Sequence, residues 1–254
     1  MKALKGSNSN VDPRINIIEK RLEKVRRLIA VSSGKGGVGK SLVASVLALT
    51  LLDKGFEVGL FDADFTSPST HRILGVRRLE IREEKGIVPM HVHGLKYMSI
   101  VAFSGEETLP LRGADISNIL IELFSTTLWG SLDYLIIDMP PGISDATLDI
   151  IRLVRRSEFL VVSTPSMLAL ETVEKLLRLL KELKVPVVGV LENMKMGQSF
   201  TIKDRINEMG VSFLGELPFD LKVEEALGDV DALAKTAFAR KLAEIVPQII
   251  SPHV

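Results

Sequence analysis

From Gly34 to Ser41 the chain reads Gly34-Lys35-Gly36-Gly37-Val38-Gly39-Lys40-Ser41, which has the spacing G-x-x-x-x-G-K-[ST]. The chemistry of this spacing is anion binding. Glycines let the main chain curl tightly, so that successive N–H groups converge on a phosphate. A helix starting at Gly39 adds the positive end of its dipole. Lys40 supplies a point charge for β- and γ-phosphates, and the Ser41 hydroxyl is a ligand for Mg²⁺. Leu42 follows in the first helical turn, so Gly34 to Leu42 make up the nucleotide cradle. Lys35 is surplus to such a cradle. It stands at the outer rim, either as a solvated loop lysine or within reach of phosphates held by a facing subunit.

Three further segments carry candidate side chains. Phe61-Asp62-Ala63-Asp64 places two acids at a strand end, where Asp64 can orient an attacking water or reach Mg²⁺ and Asp62 can take part directly or cap the helix after Pro68. Tyr134-Leu135-Ile136-Ile137-Asp138 is an apolar run ending in a carboxylate, the arrangement that delivers an acid next to a phosphate-bound metal, and Pro140-Pro141-Gly142 makes a stiff turn after it. Asn193, in Leu191-Glu192-Asn193-Met194, has an amide that donates and accepts as an adenine edge requires, although a turn residue is the plainer reading. The metal set is therefore Ser41, Asp64 and Asp138.

These residues need rigid strands that end at one place. Runs at 28–32, 58–62, 96–102, 134–138, 159–163, 187–192 and 213–216 are largely continuous in apolar residues, as strands covered on both faces are. They alternate with helical patterns at 40–54, 115–129, 146–155, 168–183, 203–209 and 233–246. The alternation predicts a single doubly wound α/β domain, a mostly parallel sheet with helices on both faces. The charged stretch 77–93 breaks the rhythm and reads as a surface hairpin. Asp12-Pro13 is a helix start, and Ile15, Ile18, Leu22 and Val25 make a helical stripe to Arg27. The expected organisation is a polar tail and amphipathic helix at 1–27, then the nucleotide-binding domain at 28–254. The helix packs on that domain or docks a partner.

Composition narrows the functions. Of 254 residues 46% are hydrophobic, which excludes wholesale disorder, and 32 basic residues balance 32 acidic ones, which disfavours broad nucleic-acid binding. No cysteine occurs, so thiolate zinc, thiolate-held iron–sulfur clusters and cysteine nucleophiles are excluded on this chain. No apolar run reaches the roughly 20 residues of a membrane span, so the expectation is a cytoplasmic protein. His91 and His93 would share one face of an extended strand, half of a nickel site without a third ligand; polar hairpin residues are the simpler reading.

Lys35-Gly36-Gly37-Val38-Gly39-Lys40-Ser41 resembles the deviant Walker A motif of the MinD/Mrp phosphate-loop ATPases. The resemblance runs from Leu28 to Val246. It implies a slow ATP hydrolase that binds ATP and ADP with Mg²⁺ and closes as a nucleotide-dependent homodimer, with Lys35 as the signature lysine acting across that dimer. Asp64 then matches the catalytic aspartate of switch I, Asp138 to Gly142 match switch II, Asn193 matches the adenine asparagine, and Pro218 and Phe219 match the loop over the other face of the base. Asp62-Ala63-Asp64, Pro68-Ser69 and Gly215-Glu216-Leu217-Pro218 look closer to Mrp than to MinD.

Two departures matter. Mrp-type carriers place a C-x-x-C pair after the E-N-M segment, whereas this chain has Lys195-Met196-Gly197-Gln198-Ser199-Phe200. The C-terminal stretch carries Pro247 and no dense basic face, unlike the membrane helix of MinD. A cysteine-free Mrp-like chain is similar to the ATPases of archaeal [NiFe]-hydrogenase maturation. That similarity implies nickel insertion with a small nickel- and zinc-binding metallochaperone of the HypA kind, docked through residues 13–27, with no nucleic acid or membrane partner. The other expectations are an Mrp-like iron–sulfur assembly ATPase that has lost its own cluster site, or a MinD/ParA-like spatial-organisation ATPase.

Overall fold

A computed structural model of the chain describes residues 14–104, 113–197 and 201–251. The expected helix start at Asp12-Pro13 and the residues Gln198 to Phe200 lie outside them. The strands are β1 (Val25–Ser33), β2 (Val58–Asp62), β3 (Arg82–Glu83), β4 (Ile87–Val88), β5 (Met90–Val92), β6 (Leu95–Ser99), β7 (Leu132–Asp138), β8 (Ser157–Ser163), β9 (Val187–Lys195) and β10 (Phe213–Pro218). The helices are α1 (Arg14–Leu22), α2 (Lys40–Asp53), α3 (Thr70–Ile73), α4 (Val101–Ser104), α5 (Gly113–Thr126), α6 (Asp145–Leu153), α7 (Met167–Glu182), α8 (Lys203–Glu208), α9 (Lys222–Ala226), α10 (Val230–Ala234) and α11 (Ala237–Ile250).

Among the described residues eight strands form one sheet in the order β10-β9-β8-β1-β7-β2-β6-β5, parallel except for the edge pair β5–β6. This is the doubly wound sheet that the alternation predicts. Along β1, Leu28 and Ala30 enter one core, while Ile29 and Val31 enter the other. That two-residue period explains why the strand reads as an unbroken apolar run: both of its faces are covered. One core lies under α1, α5, α6, α7 and α8, the other under α2, α3 and α9 to α11. Strand β1 pairs with β7 on one side and β8 on the other; the chain builds outward on the first side to β2 and β6, returns at β7 and then crosses β1 to β8. A crevice opens at such a change of direction, outside the carboxyl ends of the strands.

Several local expectations change. The N-terminal helix stops at Leu22, and Val25 starts β1, where it pairs with Leu132. Ile15, Ile18 and Leu22 are buried in the core beside α5. The apolar stripe that was one candidate for partner docking is thus covered by the domain itself. Strand β6 ends at Ser99 and turns into α4. The helix expected over 233–246 is two helices, since Thr236 breaks the run and accepts Ala239 N through its Oγ1. Pro247 lies within α11 and does not interrupt it, and the apolar face of α11 (Phe238, Leu242, Ile245, Val246, Ile249) is packed into the core. No described helix is long and apolar enough to cross a membrane. The 77–93 excursion contains the β3–β4 hairpin.

Candidate functional site

The strand ends bring the phosphate loop and three acids together. The loop leaves β1 at Ser33 and enters α2 at Lys40, with Gly37 and Gly39 at φ 78° and 82°. Left-handed backbone of this kind is what glycine tolerates and other residues resist. Gly34 is needed for a different reason. A Cβ there would lie 2.5 Å from Thr172 Oγ1 and 2.6 Å from the Thr172 carbonyl carbon, so the first turn of the loop rests on the backbone of α7. Across the loop, Gly142 N donates to Ser33 O and Met139 N to Val31 O, which fastens the Pro140-Pro141-Gly142 turn against β1.

Lys40 is buried. Its Nζ lies 2.6 Å from Asp138 Oδ1 and 3.7 Å from Asp64 Oδ2, and 3.3 Å from Ser41 Oγ. Asp62 and Asp138 face each other in the register of β2 and β7, both fully buried. Burial pushes the Asp62 carboxyl up to about 7, with the neighbouring Asp138 adding to the rise and Thr70 and Lys40 opposing it. Burial likewise pushes Asp138 up against the pull of Lys40 and Ser41. One ammonium thus serves three acids in a dry site. Asp138 Oδ2 is buried without a hydrogen-bond partner among the described residues. An unsatisfied carboxylate oxygen beside the Ser41 hydroxyl and Asp64 is a hard, oxygen-rich donor set, and it fits Mg²⁺.

The acids divide their work. Asp64 Oδ1 accepts from Thr66 Oγ1 and Ser67 N, which leaves Oδ2 facing Lys40. Both oxygens of Asp62 are engaged by the adjoining loop: Oδ1 by Asp64 N, and Oδ2 by Ser69 N, Thr70 N and Thr70 Oγ1. Asp62 is therefore saturated by protein donors. Thr70, eight residues on, was not singled out from the sequence; only Pro68-Ser69 hinted at a helix start there.

Asn193 is buried and its Nδ2 donates to Val38 O at 2.9 Å, while a Cβ on Gly39 would meet that nitrogen at 2.3 Å. The asparagine thus braces the phosphate loop from the end of β9. Pro218 pairs with Lys195 across β10 and β9, and Phe219 N donates to Lys195 O, leaving the Phe219 ring half exposed beside that strand end. Glu192, unassigned from the sequence, is fully buried and holds Ile202 N at 2.7 Å and Lys195 Nζ at 3.0 Å. Lys35 is half-buried on the rim, and Val38 and Leu42 lie inward on the α2 side of the sheet. His93 takes φ 49° and meets Leu74 O through Nε2 at 2.8 Å, so His91 and His93 do not share an extended face. Among the described residues no cluster of three metal-ligating side chains of the His, Cys, Asp and Glu type stands out.

Residues 24–252 match the model for ParA-type NUBPL iron-transfer P-loop NTPases. The chain belongs to that family. An iron-sulfur cluster carrier protein of Aquifex aeolicus is 34% identical over 92% of this chain and 71% of its own length. A second carrier of that name, from Pyrococcus abyssi, is 33% identical over 94% of this chain and 91% of its own. Among solved structures, a nucleotide-binding protein of Archaeoglobus fulgidus in complex with ADP, with cobalt found, superposes with a TM-score of 0.75 at 30% identity, covering 87% of this chain and 93% of that one. The MinD/Mrp resemblance thus holds at the level of family and fold. The nickel-insertion reading does not, nor does the HypA-like partner attached to it: the relatives carry the iron–sulfur name, and among the described residues no metal-ligating cluster argues for nickel. The NUBPL-type chain remains without a cysteine, so it does not fit a cluster held by its own thiolates.

Proposed function

We propose that this NUBPL-type NTPase is a Mg-ATP-driven ATPase of iron–sulfur cluster assembly whose cargo is held by the thiolates of another protein. The observation that supports it most is the convergence of Lys40, Asp64 and Asp138 beside a glycine loop, in a chain matched to iron-transfer NTPases over 24–252.

The phosphates lie on the amides of Gly34 to Ser41, and the ammonium of Lys40 moves from carboxylate to phosphate oxygens. Ser41, Asp138 and Asp64 are the residues that would hold Mg²⁺, which when bound screens the β- and γ-phosphate charge. Asp64 Oδ2 orients the attacking water. Asn193 keeps Gly39 and Val38 in place and faces the adenine with Phe219. Lys35 reaches the γ-phosphate of a second copy and neutralises charge that develops there, as an arginine finger does. Exposed Ile143, Met167, Leu168 and Met196 lie on segments that leave the same end of the sheet, and they supply the apolar contact between copies. Lys35→Ala is expected to keep Mg-ATP binding while losing ATP-dependent dimerisation and about a thousandfold in turnover. Light scattering and phosphate release check both.

The experiment for the assembly role is anaerobic cluster transfer from a cysteine-bearing [4Fe–4S] scaffold to an apo-acceptor. Transfer is expected to quicken with this chain and Mg-ATP and to return to baseline with Mg-ADP. Equal rates with and without the chain would reject the role.

A further inference from the structure

Asp62 is a fully buried acid with no part in the reaction steps assigned to Lys40, Asp64 and Asp138, although it lies in the same cluster. Its four hydrogen bonds all go to one short segment. Oδ1 takes Asp64 N at 3.1 Å, and Oδ2 takes Ser69 N and Thr70 N at 3.2 Å each and Thr70 Oγ1 at 2.6 Å. The carboxylate thus clamps both ends of the loop that carries Asp64. Thr70 Oγ1 also lies 2.8 Å from Tyr97 OH on β6. A threonine hydroxyl has one hydrogen. With that hydrogen given to Asp62, the bond from Tyr97 runs the other way: Tyr97 donates to Thr70, and Thr70 donates to Asp62. The chain of hydroxyls has one direction and ends on the acid. Asp62, Thr70 and Tyr97 are all buried, so water does not substitute for any link.

We propose that Asp62 is a positioning residue for hydrolysis: anchored by Thr70 and Tyr97, it holds the 64–70 loop so that Asp64 Oδ2 stays aimed into the site beside Lys40. The role rests on the ATPase reading of the site. An acid is required rather than an amide. Asparagine would set an N–H₂ group against either Asp64 N or the pair Ser69 N and Thr70 N, donor facing donor. Nothing in the clamp touches the phosphate loop amides, so nucleotide affinity should survive its loss. Positional error of about 1 Å in a reacting group costs up to about a hundredfold in rate.

The test uses the full chain as Asp62→Asn, Thr70→Val and Thr70→Ser, read by hydrogen exchange at the amides of Asp64, Ser69 and Thr70, by Mg-ADP affinity, and by kcat against KM. Asp62→Asn and Thr70→Val are expected to lose protection at those amides and to drop kcat about 10- to 100-fold, with affinity and KM within about threefold of wild type. Thr70→Ser keeps the hydroxyl and should restore kcat. A plain loss of folded protein also lowers apparent kcat at unchanged KM, but it lowers the number of Mg-ADP sites per chain in proportion; a kcat that returns to wild type once corrected for that number overturns the positioning role. Lost protection with wild-type kcat overturns the positioning role and leaves the ATPase reading standing. A wild-type chain without ATPase activity overturns that reading, and the positioning role with it.

Discussion

Lys40→Ala loses measurable Mg-ATP binding and with it all turnover. The side chain is the one cation that the structure brings within 4 Å of both Asp64 and Asp138 among the described residues, at 3.7 and 2.6 Å. On the proposed reading, incoming phosphates compete with two carboxylates for this ammonium, and Mg²⁺ held by the acids would compensate them. Without the lysine the site presents buried acids to a tetra-anion. Truncating one partner of a buried, hydrogen-bonded charge pair costs about 2–5 kcal/mol, so affinity should fall by about 30- to 4,000-fold. The fold is expected to persist. Burial already favours the protonated form of Asp138, whose Oδ2 has no hydrogen-bond partner among the described residues, and that acid takes up a proton rather than tear the sheet. Calorimetric titration with Mg-ATP reads the affinity, and circular dichroism reads the fold.

Gly34→Ala is expected to damage both binding and stability, whereas Gly36→Ala damages the fold little. The two glycines sit two residues apart in the same loop, and a sequence reading treats them alike. In space they differ. A Cβ at Gly34 would meet Thr172 Oγ1, the Thr172 carbonyl carbon and Val173 N at 2.5, 2.6 and 2.7 Å, of which two are backbone of α7 and cannot rotate away. At Gly36 the nearest neighbour would be Pro141 Cβ at 4.0 Å. Overpacking of a rigid contact costs about 1–3 kcal/mol, which in a chain of this size lowers the melting temperature by roughly 2–12 °C. The displaced loop also loses the convergence of its amides. Thermal melts of both variants, with and without Mg-ADP, separate the two glycines.

The fold was largely readable because its strands are buried on both faces. Runs such as Ile29-Ala30-Val31 and Leu135-Ile136-Ile137 contain nothing that a solvent-facing strand would need. The phosphate loop was readable because glycine, lysine and serine at that spacing have few other uses. Misreadings arose where one residue satisfies two patterns. Val25 continues a helical stripe and also precedes the apolar run of β1, and only its pairing with Leu132 decides. Pro247 breaks many helices, yet near the end of α11 the helix runs past it to Ile250. Asp62 was separable from Asp64 only through its partners, since Thr70 and Tyr97 arrive from other elements and leave no mark at fixed spacing. Gly34 gave no hint of Thr172. The absence of cysteine was plain in the sequence, but it says what the chain does not hold rather than which assembly it serves. The nickel reading filled that gap by likeness, and the iron–sulfur relatives replaced it.

The amides of Gly34 to Ser41 together with Lys40 are expected to form a working adenine-nucleotide site in this cysteine-free NUBPL-type NTPase. Titration calorimetry of the wild-type chain with Mg-ATP tests it most directly. One nucleotide bound per chain, competed by Mg-ADP, is the predicted result. No heat and no saturable binding at millimolar Mg-ATP would contradict it.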